Sequence, residues 1–121
     1  MKMSRQEVGK LGEKLARKFL QKRGYHIQET NFHCREGEID IIAQQKDYLV
    51  FIEVRTKSSL DFGSPEESIT SAKKEKLIAS ALTYINTHQN LPSSWRIDVV
   101  AIEIDRSAKT KRIELIENAI S

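Results

Sequence analysis

The chain is poor in the residues that announce the commonest sites. Cys34 is its only cysteine, so no intrachain disulfide can form and a cysteine-based zinc site is disfavoured. Two prolines and five glycines are spread over 121 residues without repeats or low-complexity tracts. No run approaches the roughly 20 apolar residues that span a bilayer. The start, Met1 to Glu7, has no apolar signal-peptide core. His26, His33 and His88 are scattered without ligand spacing. A Ser-His-Asp set, a phosphate-binding glycine loop and a dinucleotide fingerprint are all missing. These absences set aside a disulfide scaffold, a membrane span and several enzyme classes. They point to a single cytoplasmic domain over residues 1–121.

Neither sign of charge dominates: 20 basic and 17 acidic residues give a net +3. The distribution is uneven, however. Residues 1–23 hold eight basic and two acidic side chains, a local +6, which leaves about −3 for the rest. A basic face beside an acidic remainder suits phosphate binding around an acidic metal site. A solvated helix face is the plainer alternative.

Val8, Leu11, Leu15, Ala16 and Phe19 recur at helical spacing and predict a helix from about Ser4 to Arg23, stopped by Gly24. Gly12 lies within that stripe and suggests close approach to a sheet or a second helix. Strands are expected over Tyr25–Phe32, Glu38–Gln44 and Tyr48–Thr56, with a tight turn at Lys46-Asp47. A loop with Gly63-Ser64-Pro65 leads to a helix capped by Ser71 and running to about His88. Leu77, Ile78, Ala81, Leu82 and Ile85 would face inward. A long strand over Trp95–Ile104 and a short edge strand over Arg112–Glu117 complete the order α-β-β-β-α-β-β. The expected class is α/β, a mixed central sheet flanked by helices.

Chemistry concentrates where acids interrupt apolar strands, in Gly37-Glu38-Ile39-Asp40-Ile41-Ile42-Ala43 and Phe51-Ile52-Glu53-Val54-Arg55-Thr56-Lys57. A half-buried carboxylate is costly unless a positive charge meets it. Alternation puts Glu38, Asp40 and Ile42 on one face of their strand, and Phe51, Glu53, Arg55 and Lys57 on one face of the next. A hairpin closing symmetrically about Lys46-Asp47 sets Asp40 opposite Glu53, and Glu38 opposite Arg55. Two carboxylates so placed repel, and a shared Mg²⁺ or Mn²⁺ removes the conflict. Asp40 and Glu53 are therefore the expected metal-holding, catalytic acids, with the Val54 carbonyl as a further ligand. Arg55 and Lys57 are the expected cations for stabilising charge or orienting water. Glu13, at the border of the first helix's stripe, is an additional metal candidate; pairing with Arg17 is its alternative. Lys73, Lys74 and Lys76 begin the second helix, where the dipole disfavours positive charge but attracts phosphate. With Arg17 they form the expected nucleic-acid contacts, and pairing with Glu66, Glu67 or Glu75 is the alternative.

With these residues in view, the chain resembles the YraN-like family of small bacterial proteins from about Val8 to Ile104. Gly12-Glu13-Lys14-Leu15-Ala16, Gly37-Glu38-Ile39-Asp40, Phe51-Ile52-Glu53-Val54-Arg55 and Phe62-Gly63-Ser64-Pro65 carry the resemblance. That family is similar to the PD-(D/E)XK nucleases, with their restriction-endonuclease-like core, and to archaeal-type Holliday-junction resolvases. The resemblance implies a metal-dependent endonuclease acting on DNA, including branched or structured DNA. It matches Asp40 to the motif aspartate, Glu53 to the second acid and Glu13 to the helix glutamate. A resolvase-like role would favour a homodimer. The motif lysine, two residues after the second acid, is Arg55 here. A guanidinium stabilises charge but does not serve as a general base, and Lys57 lies one pleat further along. Two other readings stay open: a nucleic-acid or protein-binding module with a degenerate site, and plain salt bridges of Glu38 with Arg55 and Glu53 with Lys57.

Overall fold

The computed structural model describes residues 3–58 and 63–120. Its elements follow the expected order: α1 (Arg5–Lys22), β1 (His26–Cys34), β2 (Gly37–Gln45), β3 (Tyr48–Lys57), a 3₁₀ turn (Glu66–Ser68), α2 (Ser71–Thr87), β4 (Ser94–Ile104) and β5 (Thr110–Ile120). The sheet runs β1-β2-β3-β4-β5 in space. Only β3 and β4 are parallel, because only they are joined by a crossover through α2. Phe62, part of one segment quoted above, lies outside the described residues.

Both faces of the sheet are covered. α1 lies on Ile41, Ala43, Val50, Ile52, Val100 and Ile102. α2 lies on Ile42, Phe51, Ile97 and Val99. Burial on both sides explains the almost unbroken apolar run of β3. α1 begins with a reciprocal cap, Glu7 N–H to Ser4 Oγ at 3.1 Å and Ser4 N–H to Glu7 Oε1 at 2.9 Å. It buries Val8, Gly12, Ala16 and Leu20, a strict four-residue stripe with small residues at its centre. A Cβ on Gly12 would overlap Thr56 Oγ1 and Cβ. Glycine is thus what lets α1 rest on the end of β3, the close approach its place in the stripe suggested.

Three local expectations need correction. The α2 cap is Thr70, whose Oγ1 accepts from Lys73 N–H at 3.1 Å, one residue before Ser71. Leu82 is 44% exposed, and Tyr84 takes the inward position among Phe32 and Phe51. β5 is an eleven-residue strand rather than a short one. Its position at the sheet's edge is as expected.

Candidate metal and phosphate site

The Lys46-Asp47 turn sets the register. Gln45–Tyr48, Gln44–Leu49, Ala43–Val50, Ile42–Phe51 and Ile41–Ile52 all pair symmetrically about it. The ladder stops there, one step before Asp40 and Glu53. On the other side, β3 stays paired with β4 through Lys57. β2 and β3 therefore part at the two acids, and the Asp40 carboxylate accepts the Val54 N–H at 2.8 Å. Opposite Asp40 on β1, Asn31 adopts a left-handed conformation with φ 53°. It falls between the pairs Thr30–Ile41 and Phe32–Ile39. Strict alternation breaks at this point, since Ile39 and Ile42 both pack beneath α2. Asp40 thus sits at a fork rather than on one uniform face with Glu38 and Ile42.

The two carboxylates meet without ladder pairing. Glu53 is only 3% exposed. Burial, and then the charge of Asp40, push its carboxyl up to about 7. Burial also raises Asp40, against the lowering effects of the Val54 N–H and a hydrogen bond with Glu53. Both carboxyls are therefore harder to ionise than ordinary carboxylates. Lys73 and Arg55 oppose this shift without cancelling it.

Glu13 extends from the helix that Gly12 seats on β3. Burial raises its carboxyl, and so does the charge of Asp40, while Arg17 lowers it. The helix glutamate is therefore an electrostatic neighbour of Asp40. Among the described residues, no three His, Cys, Asp or Glu groups form a ready-made metal cage. The donor set is a carboxylate pair with Glu13 beside it. The Val54 carbonyl belongs to the same stretch of β3, and its own N–H orients Asp40.

The cations divide sharply. Arg55 Nε is 2.9 Å from Glu53 Oε2, but its buried N–H is not aimed along a hydrogen bond. Lys57 Nζ donates to the Gly63 carbonyl at 3.3 Å, which ties it to the loop. Lys73 Nζ reaches 3.9 Å from Glu53 Oε2. Glu38 pairs with His33 at 3.3 Å rather than with Arg55. The plain salt-bridge expectation thus had Glu53's neighbours wrong: they are Arg55 and Lys73, not Lys57.

Next to the pair, an open cleft of about 370 Å³ is lined by His33, Gly37, Glu38, Lys73 and Lys76. Gly37 belongs there for packing reasons, since a Cβ would press on Ser80 Oγ at 3.1 Å. Lys74 is exposed beside the cleft rather than lining it. Arg17 is half-buried on α1 and acts on Glu13. The arrangement joins a facing acid pair to an open cleft that Lys73 and Lys76 line at a helix N-terminus. His33, near the end of β1 and paired with Glu38, was not among the expected site residues.

Comparison with known proteins shows the chain's family. Residues 12–102 match the model of a family described as uncharacterised protein family UPF0102. The chain belongs to that family. A UPF0102 protein of Dehalococcoides mccartyi is 48% identical over 99% of this chain and 98% of its own length. UPF0102 proteins of Moorella thermoacetica (42% identical, 98% and 99% covered) and Roseiflexus castenholzii (44%, 96% and 94%) match nearly as fully. The UPF0102 match spans Glu13, both strand acids and the start of α2, so every part of the site lies inside it.

Proposed function

We propose that this UPF0102 protein is a divalent-metal-dependent endonuclease of the PD-(D/E)XK type acting on DNA, with branched or structured DNA as its preferred class. One observation carries the reading: where the β2–β3 ladder ends, the buried Glu53 carboxylate faces Asp40, itself held by the Val54 N–H. A buried carboxylate facing a second, half-buried one weakens a fold unless the pair serves something.

The donor chemistry fits a hard cation. Asp40, Glu53 and the Val54 carbonyl would hold Mg²⁺ or Mn²⁺, with Glu13 as the nearby helix acid. Once bound, the ion would supply Lewis-acid activation of a water and of the phosphate. The chain's own residues do the rest. Val54 N–H fixes the Asp40 carboxylate. Arg55 holds Glu53. The α2 lysines hold backbone phosphate in the cleft. The fold order agrees with a restriction-endonuclease-like core.

A second reading is a DNA-binding module without cleavage. It is favoured by Arg55, which occupies the motif lysine position and already pairs with Glu53.

Cleavage assays on linear, flapped and four-way-junction DNA with Mg²⁺ or Mn²⁺ decide between the two. Cleavage that falls by at least about a hundredfold in Asp40→Ala and Glu53→Ala is expected. Salt-dependent binding without cleavage would replace the nuclease with the binding module.

A further inference from the structure

Three cations of the candidate site could face a substrate phosphate, and the structure separates them. Arg55 lies along the same strand and is committed to the Glu53 carboxylate at 2.9 Å. Lys57 is turned to the loop, where it meets the Gly63 carbonyl and its charge acts on Glu67. Lys73 arrives from a different element. Its Nζ is 3.9 Å from Glu53 Oε2, with the side chain 24% exposed. Its charge acts on Asp40 and Glu53 alike. It also lines the cleft with Lys76, so the same ammonium borders both the acids and the open space.

The placement is fixed. Lys73 N–H is the group that the Thr70 cap receives, and Leu77, one turn later, is buried against the sheet. A first-turn lysine opposes the helix dipole, so local helix stability gives no reason for it.

We propose that Lys73 is a catalytic residue of this site, presenting its ammonium to the phosphate being cleaved, in the role that the strand position two after Glu53 does not fill here. The inference rests on the nuclease reading. In hydrolysis the oxygen of water forms a bond to phosphorus and the bond from phosphorus to the leaving oxygen breaks. Water gives a proton to solvent and the leaving oxygen takes one from it. The products are a phosphate monoester and a free hydroxyl. Charge gathers on the non-bridging phosphate oxygens as this happens, and a fixed cation at the cleft mouth stabilises it. Lys73 keeps its proton throughout.

The test compares wild type, Lys73→Met, Lys73→Arg and Lys57→Met. Cleavage of a four-way-junction DNA is followed, with Mn²⁺ binding by calorimetry and thermal unfolding measured alongside. Lys73→Met is expected to lose about a hundredfold or more in kcat, with KM changed less than about threefold. Its Mn²⁺ affinity should not weaken, because a competing positive charge has been removed. Lys73→Arg should recover roughly tenfold or more over Lys73→Met while both unfold like wild type. Cleavage by Lys73→Met within about threefold of wild type overturns the inference and leaves the nuclease reading standing. A larger kcat loss in Lys57→Met than in Lys73→Met also overturns it. Absence of cleavage by wild type on every substrate overturns both.

Discussion

Two buried acids on adjacent strands have opposite surroundings. Asp98 on β4 has no exposed surface. It accepts from Tyr25 Oη at 3.2 Å, from Arg96 Nε at 3.0 and 3.2 Å, and from Asn118 N–H at 2.9 Å. Asn118 can donate because it leaves the β4–β5 ladder at a bulge, in a left-handed conformation with φ 49°. Arg96 in turn donates to Tyr25 Oη at 2.9 Å. Every strong demand of this carboxylate is met. Glu53 on β3 is nearly as buried, yet it faces a second acid and is driven toward neutrality. The difference separates two uses of a buried carboxylate. A satisfied one ties β4, β5 and the residue that leads into β1 together. A frustrated one marks a place where an outside cation would be welcome.

Removing the satisfied acid should do the most damage. Asp98→Ala leaves a guanidinium, a hydroxyl and a backbone N–H without their shared acceptor, all within a packed layer. Breaking a buried pair on one side costs about 3–5 kcal/mol. Urea unfolding at neutral pH should show that loss, while the variant that remains folded binds Mn²⁺ like wild type. A loss below about 1 kcal/mol would mean the network is not the anchor its geometry describes.

Changing the frustrated acid should act with the opposite sign. Glu53 ordinarily ionises at 4.5 but holds its proton up to about 7 in the fold. The folded state thus binds this proton more tightly than the unfolded chain does. That contribution is fully present below 4.5 and is lost as pH rises through 7. Without metal, the wild-type fold should weaken across this window. Glu53→Gln keeps the neutral form at every pH, so it should flatten the profile and gain roughly 1–2 kcal/mol at about pH 8. It should also abolish Mn²⁺ binding. Thermal melts in chelator, across pH, would show this. A Glu53→Gln protein weaker than wild type at alkaline pH would mean that Arg55 and Lys73 already satisfy the acid.

The contrast was only half legible in the sequence. An acid inside an apolar strand is visible at a glance, and so is a turn that fixes register. The observed pairs from Gln45–Tyr48 to Ile41–Ile52 follow that turn. What lay beyond reach was the end of the ladder. It coincides with Asn31, a residue on a different strand, adopting a left-handed conformation opposite Asp40. The same limit hid the approach of Lys73 to Glu53. Helical spacing places it in a first turn, but only the seating of α2 on the sheet brings its Nζ to Glu53. Glu38 turned to His33 because both lie at the end of the β1–β2 hairpin, a local proximity that outweighed the pairing with Arg55 across the fork. In the sequence Asp98 reads as a partner for Arg96 or a lysine, yet Tyr25 and Asn118 come from 73 and 20 residues away. β5 looked short because its polar residues interrupt the apolar pattern. An edge strand with one open side carries such residues without ceasing to pair.

A third group of acids shows what exposure does to the same chemistry. Arg112 on β5 gathers Glu66 from the 3₁₀ turn, Glu103 from β4 and its neighbour Glu114. Hydrogen bonding to Arg112 holds the Glu66 carboxyl down at about 2, well below its usual 4.5. Its sign is therefore the reverse of Glu53's: the contribution is present above 4.5 and lost as pH falls through 2. Every partner keeps some contact with solvent, 27% for Arg112 and 29% for Glu66 against none for Asp98, so water weakens the cluster. Arg112→Ala is expected to lose only about 1 kcal/mol or less at neutral pH, with the difference from wild type shrinking in acid. Melts of the two proteins at neutral and acid pH measure this. A loss as large as that of Asp98→Ala would break the comparison, because burial would no longer decide which carboxylates hold the fold.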